Sequence, residues 1–176
     1  TERVYYHHAK IAAGAMISRA VERAVELGFE IGQLYHLGDE ALLYALNETY
    51  RADKAIRRLL GKYRSRNLYK RVYVLTDLNI DPETRAEFAE KYHLNSKGDR
   101  GSAEKRIARD ARIPHEAVIV YAPPPQMNLK EANVLVKVDQ NPARPLHVYK
   151  NREVLSLQEK YGRLWKFYVF IDPEYN

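Results

Sequence analysis

Small apolar residues recur at three- and four-residue spacing through the first part of the chain: Ala9, Ala13, Met16, Ala20, Ala24 and Leu27. That period gathers them on one helix face and leaves Arg19, Glu22, Arg23 and Glu26 toward water. Alanine on the inward face predicts a neighbour that packs close. Gly28 predicts the C-terminal stop. A short helix follows, with Asp39 placed to cap it and Leu42, Leu43 and Leu46 facing inward. A third helix carries Ala52, Ile56, Leu59, Leu60 and Tyr63 on one side and basic residues on the other.

The pattern changes near Lys70. Val72-Tyr73-Val74-Leu75 is β-branched and aromatic, hence strand-like. Asp81-Pro82-Glu83 predicts a helix start, with a capping carboxylate, proline in the first turn and an acid beside it, running to about Tyr92. Another helix is predicted from about Ser102 to Arg112, ending before Pro114. Residues 117–121 read as a buried strand, broken by Pro123-Pro124-Pro125. Residues 134–138 read as a further strand. Pro142 and Pro145 bracket a turn before a strand over 146–149. Ser156 to Tyr161 reads as a short helix, and residues 164–171 close the chain as an aromatic strand.

This order predicts the α+β class: N-terminal helices followed by an antiparallel sheet with helices on one face. The boundary falls near residues 64 to 70, giving a helical segment, 1–66, and an α+β domain, 67–176. No internal repeat or low-complexity tract is visible, and the three prolines make a stiff loop.

Charge changes the picture most at one place. The chain carries a formal +6, with 29 Lys plus Arg against 23 Asp plus Glu. Between Arg51 and Arg71 stand nine basic residues and one acid, Asp53, so this window alone is +8. It reads either as a solvated helix face or as an anion site, since guanidinium and ammonium groups satisfy phosphate oxygens. A second basic run from Lys97 to Arg112 is diluted by Asp99, Glu104 and Asp110 and reads as surface. Apolar residues are 45% and charged residues 30%, too apolar for a disordered chain.

The absence of cysteine excludes disulfides and thiolate metal sites. An intracellular, cytoplasmic location fits. No apolar run approaches the roughly 20 residues that span a bilayer, and no signal peptide is visible. A start at Thr1 rather than Met is read as that of a processed or truncated product.

A self-sufficient catalytic constellation is not visible. His7 and His8 are adjacent, so on a helix they diverge by about 100°. His36 and Asp39 are spaced to meet on a helix, yet Gly38 intervenes and Asp39 is better explained as a cap. His115-Glu116 reads as a loop pair. There is no His-Asp dipeptide, no HExxH, no phosphate-cradling glycine motif and no GxSxG elbow. Tyrosine is abundant, at 14. Tyr5, Tyr6, Tyr63, Tyr69 and Tyr73 lie near basic residues, where they serve either as core and rim or as base-stacking platforms.

Two segments carry a resemblance. Arg3-Val4-Tyr5-Tyr6-His7-His8, followed by Gly14 and Met16-Ile17, resembles the late helix of HD-superfamily phosphohydrolases, and in particular the dNTP triphosphohydrolase branch. Leu37-Gly38-Asp39-Glu40-Ala41-Leu42-Leu43 resembles the short helix after it. Arg66-Asn67-Leu68-Tyr69-Lys70 is similar to the family's R-N-L-aromatic-K segment. The later order, including the loop from Pro123 to Met127, is similar to the family's C-terminal region.

The resemblance implies the C-terminal portion of a metal-dependent phosphohydrolase, with the N-terminal helices as part of an HD-type bundle. The family's metal ligands, a His, a His-Asp pair and a later Asp, are not in this sequence. It therefore implies a chain inactive alone, with no catalytic or metal-binding residue of its own and no cofactor, and a divalent metal in the full-length parent. By the same resemblance, Tyr5 lines a substrate pocket, and Arg3 and His7 lie near nucleotide and regulatory sites. Arg66, Asn67 and Lys70 help bind a regulatory nucleotide at a subunit interface, with Arg57 or Arg58 nearby to hold phosphate charge.

The expected partners are thus a nucleotide or other phosphate-containing ligand and further copies of the chain in a homo-oligomer, with no membrane. Two other readings stand beside this one. One is a nucleic-acid-binding module, on the basic helix, the pI near 9.4 and the tyrosines. The other is an assembly or regulatory module that works through its sheet.

Overall fold

A computed structural model describes residues 7–93, 100–124, 134–137, 142–149 and 152–175. The chain divides into two compact units. One comprises Thr1–Tyr73, Gly101–Val120 and Val169–Asn176, the other Val74–Arg100 and Tyr121–Tyr168. The class is α+β, as the element order predicts.

The helices are α1 (His8–Glu26), α2 (Asp39–Thr49), α3 (Lys54–Arg64), α4 (Pro82–Tyr92), α5 (Arg100–Ala111) and α6 (Arg152–Gly162). The strands are β1 (Lys70–Thr76), β2 (Val118–Tyr121), β3 (Leu135–Val136), β4 (Arg144–Pro145) and β5 (Lys166–Ile171). One sheet has the order β1–β5–β2, and β3 pairs with β4 antiparallel, Leu135 opposite Pro145 and Val136 opposite Arg144. β5 holds the central place. That is why Phe167, Tyr168, Val169 and Phe170 are all buried rather than alternating with polar residues.

In the first unit α1 packs chiefly on α3. The buried face of α1 is Ala12, Ala15, Met16, Ala20 and Ala24. Ala9 and Ala13, expected on that face, lie rotated off it at partial exposure, and Leu27 is outside the helix and exposed. The reason is that alanine marks the inward side only weakly, since it fits either face of a helix. Leu46 of α2 and Ile56 and Leu60 of α3 complete this core. Residue 39 opens α2 instead of capping it: Gly38 is the cap residue, and no side chain caps there. Asp53 does cap α3, its Oδ1 accepting from the Ile56 N–H at 2.9 Å.

In the second unit, Asp81 caps α4 by accepting from the Thr84 N–H at 2.8 Å. Phe88 and Tyr92 of α4 meet Phe167 with ring centroids 5.2 and 5.7 Å apart. Trp165 is fully buried, and its carbonyl accepts from the Asp77 N–H. Two readings need correction here. Residues 146–149 form a 3-10 turn, with the short strand before them at Arg144–Pro145, and the pairing with β3 closes on the Leu146 N–H bond to the Val134 carbonyl at 2.9 Å. The last helix begins at Arg152, four residues before the predicted start. Val138 and most of the Pro123 to Met127 loop lie outside the described residues.

Candidate functional site

Three α-helices in this fold end with the same backbone device, and one of those ends builds the candidate site. After α1, the Gly28 N–H bonds to the Val25 carbonyl and the Phe29 N–H to the Ala24 carbonyl. Gly28 has φ 100°, a conformation open to glycine. After α3, the Arg66 N–H bonds to the Tyr63 carbonyl at 3.1 Å and the Asn67 N–H to the Lys62 carbonyl at 2.9 Å. Here the left-handed position, φ 56°, is filled by Arg66. A left-handed non-glycine residue costs about 1 kcal/mol, partly offset because a cation at a helix C-terminus is favourable. Arg112, φ 57°, closes α5 in the same way.

The turn at Arg66 throws its side chain outward, exposed, beside a groove of about 500 Å³. Lys10 and Ala13 of α1, Glu40 of α2, Tyr63 and Arg64 of α3, and Arg66 line it. The alanines that turned off the buried face of α1 thus form an apolar floor. Three cations and one carboxylate give the walls a positive balance. Beside it, His8 is held below the usual imidazole range by burial and by the positive charges of His7, Arg71 and Lys70. The field at this end of α1 therefore favours an anion.

The structure scatters the predicted site residues among three environments. Arg66 is in the groove, Asn67 follows it and is exposed, and Lys70 is exposed at the start of β1. Arg57 faces water on α3. His7 caps α1, its Nδ1 accepting from the Ala9 N–H at 3.3 Å, and its ring lies 4.3 Å from that of His8. Arg3 and Tyr5 lie outside the described residues.

Arg58 has internal partners. Its Nε donates to Asp172 Oδ2 and its Nη2 to Glu174 Oε2, both at 2.8 Å, and its guanidinium lies 5.4 Å from the centre of the Tyr175 ring. Lys62 joins them, 2.9 Å from Asp172 and 2.7 Å from Glu174. Two of the nine cations of the basic window are therefore balanced by the chain's own C-terminal acids. Arg51, Lys54, Arg57, Arg64, Arg66, Lys70 and Arg71 are all exposed and form no ion pair among the described residues.

A second cavity of about 270 Å³ touches Arg19, Arg23 and Arg58, but these are already neutralised. Arg19 pairs with the buried Glu104, which also accepts from the Val120 N–H, and Arg23 pairs with Asp53 and Glu26. The groove at Arg66 is the better anion site.

Sequence reasoning left out Lys10 and reached Arg64 only as part of the basic window and Tyr63 only as a core or stacking tyrosine. Lys10 lies three residues beyond His7, and Arg64 seven residues beyond Arg57 on α3, so helical spacing from the chosen residues would have found both.

A model of the family described as the HD associated region matches residues 1–176. The chain belongs to that family. No curated protein and no solved structure matches it. The association with HD-domain proteins that the RVYYHH and RNLYK segments implied therefore holds. In this HD-associated region, no group of three or more His, Asp or Glu converges as a metal-ligand set among the described residues. No described helix is long and apolar enough to cross a membrane.

Proposed function

We propose that this HD-associated region is the C-terminal part of a metal-dependent phosphohydrolase of the dNTP-triphosphohydrolase-like branch, acting on nucleotides or a related phosphate ester. Its own contribution is to hold phosphate. The observation that carries this reading is the groove in which Arg66, from the R-N-L-aromatic-K segment, stands with Arg64 and Lys10 over an alanine floor. Guanidinium groups bind phosphate oxygens in pairs with defined geometry, and Tyr63 offers an aromatic wall for a base.

The described residues do not supply a ligand set for the parent's divalent ion. No hydrolytic step is therefore assigned to this chain. Arg66, Lys70 and Asn67 serve a nucleotide, Tyr5 and Arg3 extend the site in the parent, and Arg57 supplies long-range charge. Arg58 acts at one remove, because its charge is held by Asp172 and Glu174.

Two measurements test this. The chain should bind a nucleoside triphosphate at moderate salt, and Arg66→Ala with Lys70→Ala should weaken that binding about tenfold or more. Unchanged affinity would remove the anion site. Metal-dependent hydrolysis should appear when the chain is extended at its N-terminus with an HD domain and not in the chain by itself. Efficient turnover by this chain unaided would contradict the assignment.

A further inference from the structure

Phosphate binding in the groove uses one end of α3 and leaves the rest of its outer face unexplained. Lys54, Arg57, Gly61 and Arg64 follow one another at spacings of three, four and three, so they form one stripe on the helix. All four are exposed. The stripe runs the eleven residues of α3, about 15 Å from first to last, and α3 contains no acid. Arg58 and Lys62, the cations that Asp172 and Glu174 neutralise, lie on the flank of this stripe, and Lys54, Arg57 and Arg64 form no ion pair among the described residues.

Gly61 is the second observation. Glycine inside a helix is disfavoured relative to alanine, and internal packing does not require it here, since an added Cβ would meet nothing within 4 Å. What it does provide is a flat gap between Arg57 and Arg64, where an outside chain can approach the helix closely. Beyond Arg64 the positive track continues through Arg66 to Lys70 and Arg71 on β1, which among the described residues is an edge strand of its sheet. Tyr73, two residues on and therefore on the same strand face as Arg71, is half exposed.

We propose that this track, from Lys54 along α3 to Tyr73, binds single-stranded nucleic acid. Unpaired cations meet successive phosphates, Gly61 admits the backbone, and Tyr73 stacks a base. A strand with free bases can use an aromatic platform that a duplex, with its bases already stacked, cannot. This ligand is different from the nucleotide of the groove, and the inference does not depend on that reading, since Lys54 and Arg57 lie outside the groove lining.

The test is fluorescence anisotropy of this chain with labelled oligo-dT, oligo-rU and a DNA duplex of equal length. Both single strands should bind more tightly than the duplex at about 50 mM salt. The logarithm of affinity should fall with that of salt with a slope near −3, as about four phosphate contacts on a single strand require. Lys54→Glu with Arg57→Glu should lower affinity about tenfold or more, Lys54→Glu alone should lower it while leaving triphosphate binding in place, and Gly61→Gln should lower it with the helix intact by circular dichroism. Absence of binding, a flat salt response, equal binding of duplex, or unchanged affinity in the Lys54/Arg57 pair would overturn the proposal. So would loss of strand binding confined to Arg66 and Lys70 variants, which would assign the signal to the groove alone.

Discussion

Arg58 of α3 and Asp172, 114 residues further along the chain, meet through an Nε to Oδ2 hydrogen bond of 2.8 Å. Asp172 is fully buried. It also receives Lys62, and its Oδ1 accepts from the Glu174 N–H at 3.0 Å. A buried carboxylate needs that many donors, because its desolvation is otherwise uncompensated. The link ties the end of the chain to the helix that carries the basic stripe.

Removing one partner of such a pair costs more than the pair contributes. Asp172→Asn should destabilise the first unit by about 3 kcal/mol, the lower end for a broken buried ion pair, because Glu174 remains to hold both cations. Glu174→Ala should cost under about 1 kcal/mol, since that side chain is mostly exposed. Urea unfolding of both variants checks the ranking, and equal losses would contradict it.

The same cluster sets the pH response. Burial alone would raise the pKa of Asp172, but the Lys62 bond, the Glu174 N–H and Arg58 outweigh it and hold the carboxyl below its ordinary range. A depressed carboxylate contributes stability that is present above the unfolded value, about 3.9, and is lost as pH falls through the folded value. Asp53, held low by the Ile56 N–H and Arg23 against the opposing effect of burial, adds to the same acid limb. Lys62 acts at the other end: burial opposes its charge, but Glu174 and Asp172 raise its pKa. Its contribution is intact below about 10.4 and fades as pH rises beyond. Stability should therefore be level near neutrality and fall below about pH 4, and Asp172→Asn should flatten the acid limb. An acid limb unchanged by Asp172→Asn would contradict this.

Tyr69 gives an independent check on the core. Its hydroxyl donates to the Glu116 carbonyl at 2.9 Å, and burial, followed by the Asp172 charge, raises its pKa well above that of a free phenol. Tyr69→Phe should cost about 1–2 kcal/mol by leaving that carbonyl without its donor. In alkaline absorbance titration the variant should lose a tyrosine that ionises only on unfolding.

Much of the fold was legible because it is written in local signals. Asp81-Pro82-Glu83 gave the start of α4 to the residue, and the aromatic run gave β5. The helix ends were harder. Gly28 announces its turn, whereas Arg66 adopts the same backbone without a glycine to mark it. The pairing of Arg58 and Lys62 with Asp172 left no local trace, so the +8 window looked like one surface when it has an inner, neutralised side and an outer, free one. The groove likewise depends on alanines of α1 facing away from the core, which composition does not reveal.

Arg66 allows binding to be separated from folding. Arg66→Gly removes the guanidinium and at the same time relieves the left-handed backbone at φ 56°, so its stability should stay within about 1 kcal/mol of the parent or rise. A thermal melt that drops by more than that would contradict the turn geometry.

The most direct test of the central claim is calorimetric titration of this chain and its Arg66→Gly variant with a nucleoside triphosphate. The account predicts saturable binding by the parent and at least about tenfold weaker binding by an equally folded variant. Identical isotherms, or no heat from the parent, would contradict it.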